Sequence, residues 1–599
     1  MQFYKFVHQC TNTLSLPLII TMKSIKYFFL ITTLILCTST SFTQVVKNYN
    51  AEWKKVDELI SKKNLPKSAL EEIQKIYALA KRDKQDAQIV KSLVYMIGLQ
   101  NENREDNILQ SIKELDKEIT NNKEPARSIL KNLQGYIYWQ YFQRNRWKFY
   151  NRTNTIAFVK DDIATWSTDD FHKKISDLYL QSLQNDDLLK AAPVSSFSAI
   201  ITKGNARNLR PTLYDLLAHK ALDYFKNDER DLKKPAYAFV INEPIGYSPA
   251  ARFAGYNFIT RDSLSLQYKA VLIYQDLIRF HLNDANKDAL IDVDIQRIEF
   301  VHQHSVVEEK GKLYRASLEK IISTYKNNPV TTQASYLLAL YYEQLAGQYD
   351  PLKDTTNRYE RVKAKEILEK VVRDSASNRK GSAFSEGWAN SYNLLNELLS
   401  KDFSFEVEKV NLPAQPFRSL IKYKNIDLLH LRLIKADQRL IDLVQNLYDE
   451  KKWNELLQAG TLRKWQQPLP VTNDLQQHAV EIKIDPLPAG AYILLASTNE
   501  ELTTKKTVAG ATLLYVSNIS YTNTQHKYFL LHRETGQPLA GAIAQLWQHR
   551  YDYKTFYALV GMCLGLCVQP TNNRTVKKIT DLIRNFWNGL FLHLIYAGL

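Results

Sequence analysis

FSFEVEKVNLPAQPFRSLIKYKNIDLLHLRLIKAD, residues 403–437, is where this chain of 599 residues changes its grammar. Short runs alternate apolar and polar residues, and prolines interrupt them. Leu429, Leu431 and Leu433 fall on one face of a strand, while His430, Arg432 and Lys435 belong to more polar surroundings. After a helical insertion, IDLVQNLYDEKKWNELL (441–457), strands resume in HAVEIKIDPLPAGAYILLAST (478–498). There Val480, Ile482 and Ile484 alternate with polar neighbours, Pro486, Pro488 and Gly490 make a turn, and Tyr492 to Ala496 returns as a buried strand. Short antiparallel strands in this rhythm predict a β-sandwich.

Upstream the spacing is helical. From Trp53 to Leu399 apolar residues recur at three and four, as in Leu70, Ile73, Tyr77 and Ala80, which a capping box at Ser68 and Glu71 is expected to open. The same spacing runs through Leu318, Ile321, Ile322 and Tyr325, stops at Asn328-Pro329, and resumes in Ala334, Leu337, Leu338 and Tyr341. Ala364, Ile367, Leu368, Val371 and Val372 repeat it. Helix pairs separated by Asn/Pro turns predict a repeat-like all-α region in which neighbours bury each other's faces. The fold class is therefore multidomain α + β, with a helical region over 45–400 and a β-sandwich over 401–515.

The N-terminus reads as an address. In MKSIKYFFLITTLILCTSTSFTQ (22–44), Lys23 and Lys26 precede an apolar run too short to span a bilayer, followed by small polar residues. This predicts a secretory signal over 22–43, cleaved before Gln44 with Ser41 and Thr43 at the recognition positions, and an exported protein of the periplasm, envelope or exterior. Residues 1–21 then read as a misassigned upstream extension. Leu36 directly before Cys37 argues against a lipid anchor at that cysteine.

The net charge of +16 invites a nucleic-acid reading, yet KKVDELISKKNLPKSALEEIQK (54–75) alternates signs along helix faces, as a solvated surface does. No nucleic-acid partner is expected. The four cysteines, Cys10, Cys37, Cys563 and Cys567, leave the body of the chain without thiol chemistry.

The search for catalytic, metal or cofactor residues assigns none. Gly246-Tyr-Ser248-Pro249-Ala250 superficially resembles a nucleophile elbow, but its second glycine is missing and Pro249 removes the N–H an oxyanion hole needs. Asp284, Asn286, Asp288 and Asp292 fall on the first, third, fifth and ninth places of a calcium loop. Ala289 replaces the turn glycine and Ile295 the bidentate glutamate, which favours a solvated loop between helices. Glu299, His302 and His304 could be imagined as a metal cluster, but the two histidines point apart on a helix and are expected at the surface. Cys563 and Cys567 have no ligand partners nearby. In YIYWQYFQRNRWKFYNRT (136–153), packing predicts Trp139, Phe142 and Tyr150 buried with the arginines reaching outward, against a stacking surface for bases or sugars.

Taken in order, several passages carry a resemblance. They are VDELISKKNLPKSALEEIQKIYALAK (56–81), GYIYWQYFQRNRWKFYNRT with KDDIATW (135–153 and 160–166), LYDLLAHKALDYF (213–225), VNLPAQPFRSLIKYKNIDLLHLRLIK (410–435), IDPLPAGAYILLAS (484–497), VSNISY (516–521) and RETGQPLAGAIAQLW (533–547). The chain resembles the N-terminal part of the bacterial alpha-2-macroglobulin family, in the form found in Bacteroidota. The resemblance implies a secreted protease trap: a signal, a helical region and a string of macroglobulin β-sandwiches, of which 401–515 is the first and 516–554 the start of a second. It implies peptidases as partners, no enzyme activity and no cofactor. The thioester of some members needs Cys-x-x-Gln, a pattern absent at Cys563 and Cys567, and bait and thioester domains lie beyond this stretch in the family. From 555 the text departs from the resemblance into a hydrophobic tail with two apolar runs shorter than a membrane span, which predicts a frameshift or premature stop. A helical-repeat envelope scaffold or adhesion protein, binding a protein partner through a concave face, is the other function class, and membrane association would need a lipid anchor or the tail.

Overall fold

The computed structural model describes residues 47–101, 107–150, 162–202, 204, 206–228, 236–377, 385–447, 449–504, 507–524, 527–540, 543–550, 558–567 and 590–593. The expected signal and the extension before it lie outside these residues, as does most of the tail. The chain is mixed α/β, helices first and sheets afterwards. It divides into two compact units: residues up to Leu345 with Lys363–Leu395, and Ala346–Val362 with residues from Asn396 onward.

The helices before the first strand are α1 (Asn50–Ser61), α2 (Pro66–Arg82), α3 (Asp86–Asn101), α4 (Asn107–Asn121), α5 (Ala126–Phe149), α6 (Thr168–Gln181), α7 (Asp186–Ala191) and α8 (Leu213–Phe225). They continue with α9 (Ala250–Ala254), α10 (Leu266–His281), α11 (Asp288–His304), α12 (Lys310–Thr324), α13 (Thr331–Ala346), α14 (Glu360–Ser377) and α15 (Glu386–Leu399). Chain neighbours pack on one another, α1 on α2, α2 on α3, α4 on α5, α5 on α6, α10 on α11 and α11 on α12. This fits the repeat-like expectation, in which neighbouring helices bury each other's apolar stripes.

The apolar spacing read from the sequence marks the core: Ile73, Ala80, Leu318, Ile321, Ala334, Leu337, Leu338, Ala364 and Leu368 are buried. The expected capping box at Ser68 is corrected. Helix α2 starts at Pro66, whose fixed φ and missing N–H suit a first helical position, so Ser68 sits inside the first turn. The capping boxes that do form use aspartate, Ser167 with Asp170 and Thr212 with Asp215.

In the second unit, β1 (Asp402–Val407), β3 (Phe417–Lys424) and β6 (His478–Ile484) make a three-stranded antiparallel sheet. The strands β2 (Val410–Asn411), β4 (Leu428–Lys435), β5 (Thr461–Pro468), β7 (Gly490–Ser497) and β8 (Ala509–Val516) make a five-stranded one, ordered β2-β8-β7-β4-β5. One apolar cluster joins the two, with Phe403, Ile421 and Ile482 from the first sheet and Leu429, Leu431, Leu433, Tyr492, Leu494 and Leu514 from the second.

The central strand β7 is buried on both faces. Its Ile493 and Leu495 pack with Leu440, Trp453 and Leu456 of α16 (Gln438–Gln445) and α17 (Glu450–Leu457). That double burial is why residues 492–496 read as an unbroken apolar run. Arg432, on the same face of β4, donates to the carbonyls of Leu457 and Ala459 at the end of α17, where a cation is favoured. Strand β5 was not predicted.

Beyond this, β9 (Ile519–Thr524) and β10 (Lys527–His532) form a hairpin, and Gly536, at φ 69°, supplies the turn that follows. Strand β11 (Ile543–Arg550) pairs with β12 (Ala558–Cys567) and β13 (Leu590–His593), so parts of the expected aberrant tail extend a sheet rather than stand apart.

The loop from β5 to β6 is fastened by a buried carboxylate. Asp474 accepts from Arg358 Nε at 2.8 Å and the Gln476 backbone N–H at 3.1 Å, and its Oδ1 lies 2.8 Å from His478 Nε2. Burial opposes ionisation, but His478, Arg358 and that N–H outweigh it and hold the carboxyl below its ordinary value. Arg361 adds bonds to the Leu475 carbonyl and Gln476 side chain. Asp474→Ala should lower stability in urea unfolding by about 2–3 kcal/mol, less than for a wholly buried pair because Arg358 keeps 37% of its side chain in solvent. The wild-type advantage should be complete above about pH 5 and disappear as pH falls through the depressed carboxylate value.

Candidate functional site

The ionisable residues of the helical unit converge where α8, α10 and α11 meet, a place no motif had marked. Helix α8 begins with the Thr212–Asp215 box, in which Asp215 Oδ2 accepts from the Thr212 N–H at 2.9 Å and hydroxyl at 2.7 Å. The other carboxylate oxygen of Asp215 meets His281 Nε2 at 2.7 Å, and His281 Nδ1 meets Asp284 at 2.6 Å. Burial disfavours the imidazolium, yet two flanking carboxylates win and raise the His281 pKa.

One turn along α8, His219 Nδ1 lies 2.8 Å from the Asp215 carbonyl, which can only accept, so Nδ1 carries the proton. Its Nε2 is buried without a hydrogen-bond partner among the described residues, 4.0 Å from Asp292 Oδ2 on α11. Burial, with the Arg210 charge, depresses His219 to about 4 and leaves it neutral. Burial also raises Asp292 to about 6, against the opposing pull of Arg210 and a 2.7 Å bond from Gln296. Two turns on, burial raises Glu299 to about 7. The Tyr274 hydroxyl, fully buried on α10, has no hydrogen-bond partner among the described residues. Two carboxylic acids that titrate near neutrality and a neutral imidazole can accept, hold and release protons. Perturbed groups of this kind mark functional sites and structural networks alike.

No protein-family model matches this chain, and no curated protein matches it either.

Several residues marked from sequence lie in hydrogen-bonded or packed positions. Ser248 follows a short 3-10 turn. Its carbonyl accepts from Arg297 Nη2 at 3.0 Å, and the Gly246 carbonyl accepts from Nη1. Arg297 is fully buried, pairs with Asp294 and lies 4.6 Å from the centre of the Phe253 ring. A Cβ on Gly246 would come within 2.8 Å of Val301, so glycine is needed there for close packing.

The calcium-loop geometry is absent because Asp288 already begins α11. Asp292 is then carried to the histidine side, while Asp284 pairs with His281. The solvated loop is correspondingly shorter than expected. Asp288 accepts from Asn208 and Asn328, each at 2.7 Å.

The expectation of surface histidines is overturned. His302 stacks on Tyr314 at 4.1 Å, and His304 keeps 4% of its side chain exposed, with Nδ1 3.2 Å from Gln267. The next helix and α10 cover a face that α11 alone leaves open. Among the described residues no three His, Cys, Asp or Glu side chains are placed to hold a metal ion, and no helix is long and apolar enough to cross a membrane. The aromatic run packs as expected only in part, since of Trp139, Phe142 and Tyr150 only Phe142 is buried. Phe142, Tyr138 and Phe149 are buried, Trp139 and Tyr150 half-buried, and Arg144 and Arg146 exposed. Side chains of Cys563 and Cys567 lie outside the described residues.

Two outcomes follow from these environments. Arg297→Leu leaves Asp294 and two carbonyls without their donor and should cost about 3–5 kcal/mol in urea unfolding. Asp292 has a raised folded pKa, so its favourable share of stability is present below pH 3.8 and is lost as pH rises through about 6. Asp292→Asn removes that loss. The variant should be more stable than wild type by about 1–2 kcal/mol at pH 8, with the difference vanishing near pH 4 in thermal unfolding across that range.

Proposed function

We propose that this chain is the N-terminal scaffold of an exported alpha-2-macroglobulin-like protease inhibitor, which captures peptidases after they cut a bait segment. The reading assigns it no catalysis of its own, and the bait and thioester are not among these residues. None of the four cysteines is followed three residues later by glutamine.

The observation that carries the reading is serial order. An all-helical unit precedes two sheets that share one apolar cluster, and a fresh hairpin, β9–β10, then leads through Thr535-Gly536-Gln537-Pro538 to β11. A second strand group starting directly after the first is what a string of sandwich domains requires.

Incubation with a broad-specificity peptidase separates the parts of this reading. The 599-residue protein should be degraded without retaining active peptidase on gel filtration, and retention would overturn the assignment of bait and trap elsewhere. Translation of the DNA in the other two frames beyond codon 554 should yield further alternating strands. Their absence would remove the frameshift reading of the tail.

A further inference from the structure

We propose that the helical unit binds a short extended peptide, apolar in its middle, basic at one end and acidic at the other, in the groove between residues 237–243 and 256–261. The groove holds about 320 Å³ and is lined by these two irregular segments. That volume is at the small end for ligand sites and suits a few side chains.

Three observations point to a peptide. The first is the exposed apolar rim. Tyr237, Val240 and Ile259, all on the lining of one groove, are 60%, 41% and 85% exposed. Val306 joins them through its N–H, which bonds the Ile241 carbonyl at 3.0 Å. Clustered exposed apolar side chains mark binding surfaces, whereas single ones do not.

The second is main-chain valence. Among the described residues, the backbone N–H groups of Ala238, Phe239, Val240, Asn257, Phe258 and Ile259 have no hydrogen-bond acceptor. In extended backbone alternate N–H groups face one side, so an added strand can bond with every second one of a segment, which gives affinity without demanding one sequence.

The third is charge. Tyr256 donates to Glu243, which sets the beginning of the second segment against the end of the first, and Phe239 meets Phe258 with ring centres 6.4 Å apart. The segments therefore run in opposite directions, with exposed Glu243 at one end of the groove and exposed Arg261 at the other. A ligand with one basic and one acidic terminus complements that pair.

The walls are held from behind. Gln275 donates to the carbonyls of Phe253 at 2.8 Å and Tyr256 at 2.6 Å, and the Tyr268 hydroxyl donates to the Phe258 carbonyl at 3.2 Å. A groove fixed before binding loses little entropy on filling. This inference does not depend on the family reading.

The test is fluorescence anisotropy of a labelled heptapeptide, KVTVTVE, titrated with the 599-residue protein. Saturable binding is expected at about 10–100 μM. Ile259→Glu and Val240→Glu, each at an exposed side chain, should weaken it at least about tenfold. The peptide KVTPTVE, which lacks the central N–H, should bind at least about tenfold more weakly. At low salt, peptides flanked by two lysines or two glutamates should bind more weakly than the mixed one. No saturable binding up to about 1 mM, equal binding of the proline peptide, or indifference to both substitutions would each overturn the proposal. Self-association of the protein that buries Ile259 and that the peptide does not displace would overturn it too, by assigning the groove to a second copy.

Discussion

A charge without water around it must find its full set of partners inside the protein, and each unit of this chain holds a charge that ties a loop or turn to the rest. In the helical unit it is the Arg297 guanidinium, which spends its donors on Asp294 and on the carbonyls of Gly246 and Ser248. The turn before α9 is thereby fixed against α11, and Ser317 of α12 bonds the Tyr247 carbonyl of the same turn at 2.9 Å. In the stranded unit it is Asp474, which gathers Arg358, His478 and the Gln476 N–H. Removing Arg297 leaves buried Asp294 and two carbonyls without their donor, and removing Asp474 leaves the buried Gln476 N–H without its acceptor, so local loop geometry and global stability are linked through single side chains.

The broad architecture was readable because apolar periodicity is a property of each segment by itself. Leu429, Leu431 and Leu433 announce a strand face whatever lies opposite, and Leu318, Ile321 and Ala334 announce helix faces in the same way. Strand β5 escaped because TLRKWQQP lies at a sheet edge, mostly toward solvent, where Arg463 and Lys464 are tolerated and no apolar alternation is imposed. The cap at Ser68 was misplaced because a proline two residues earlier fills the opening position more simply. Aspartate in place of glutamate hid the capping boxes at Ser167 and Thr212, although their spacing was there to be read.

The polar groups were least legible, for a related reason. Arginine, aspartate and histidine on a helix look like a solvated face until the covering layer is known. Arg297, His219, Asp292 and His304 are covered by partners dozens of residues away, and no local pattern encodes that. The one local signal was Thr212-Leu-Tyr-Asp215 followed by His219, which ties a cap to a buried imidazole within two helical turns. The raised acids and depressed histidine beside it result from burial, so they record the packing of α8, α10 and α11 as much as any chemistry.

The stranded unit is assembled from two separated pieces of chain, and that has a consequence in time. Arg358 precedes Asp474 by 116 residues. At about 5–20 residues per second of synthesis, the arginine waits on the order of 6–23 s before its carboxylate has been made. Throughout that interval Ala346–Val362 belongs to a unit that does not yet exist. The bond that fastens the β5–β6 loop can therefore close only after that loop has been made.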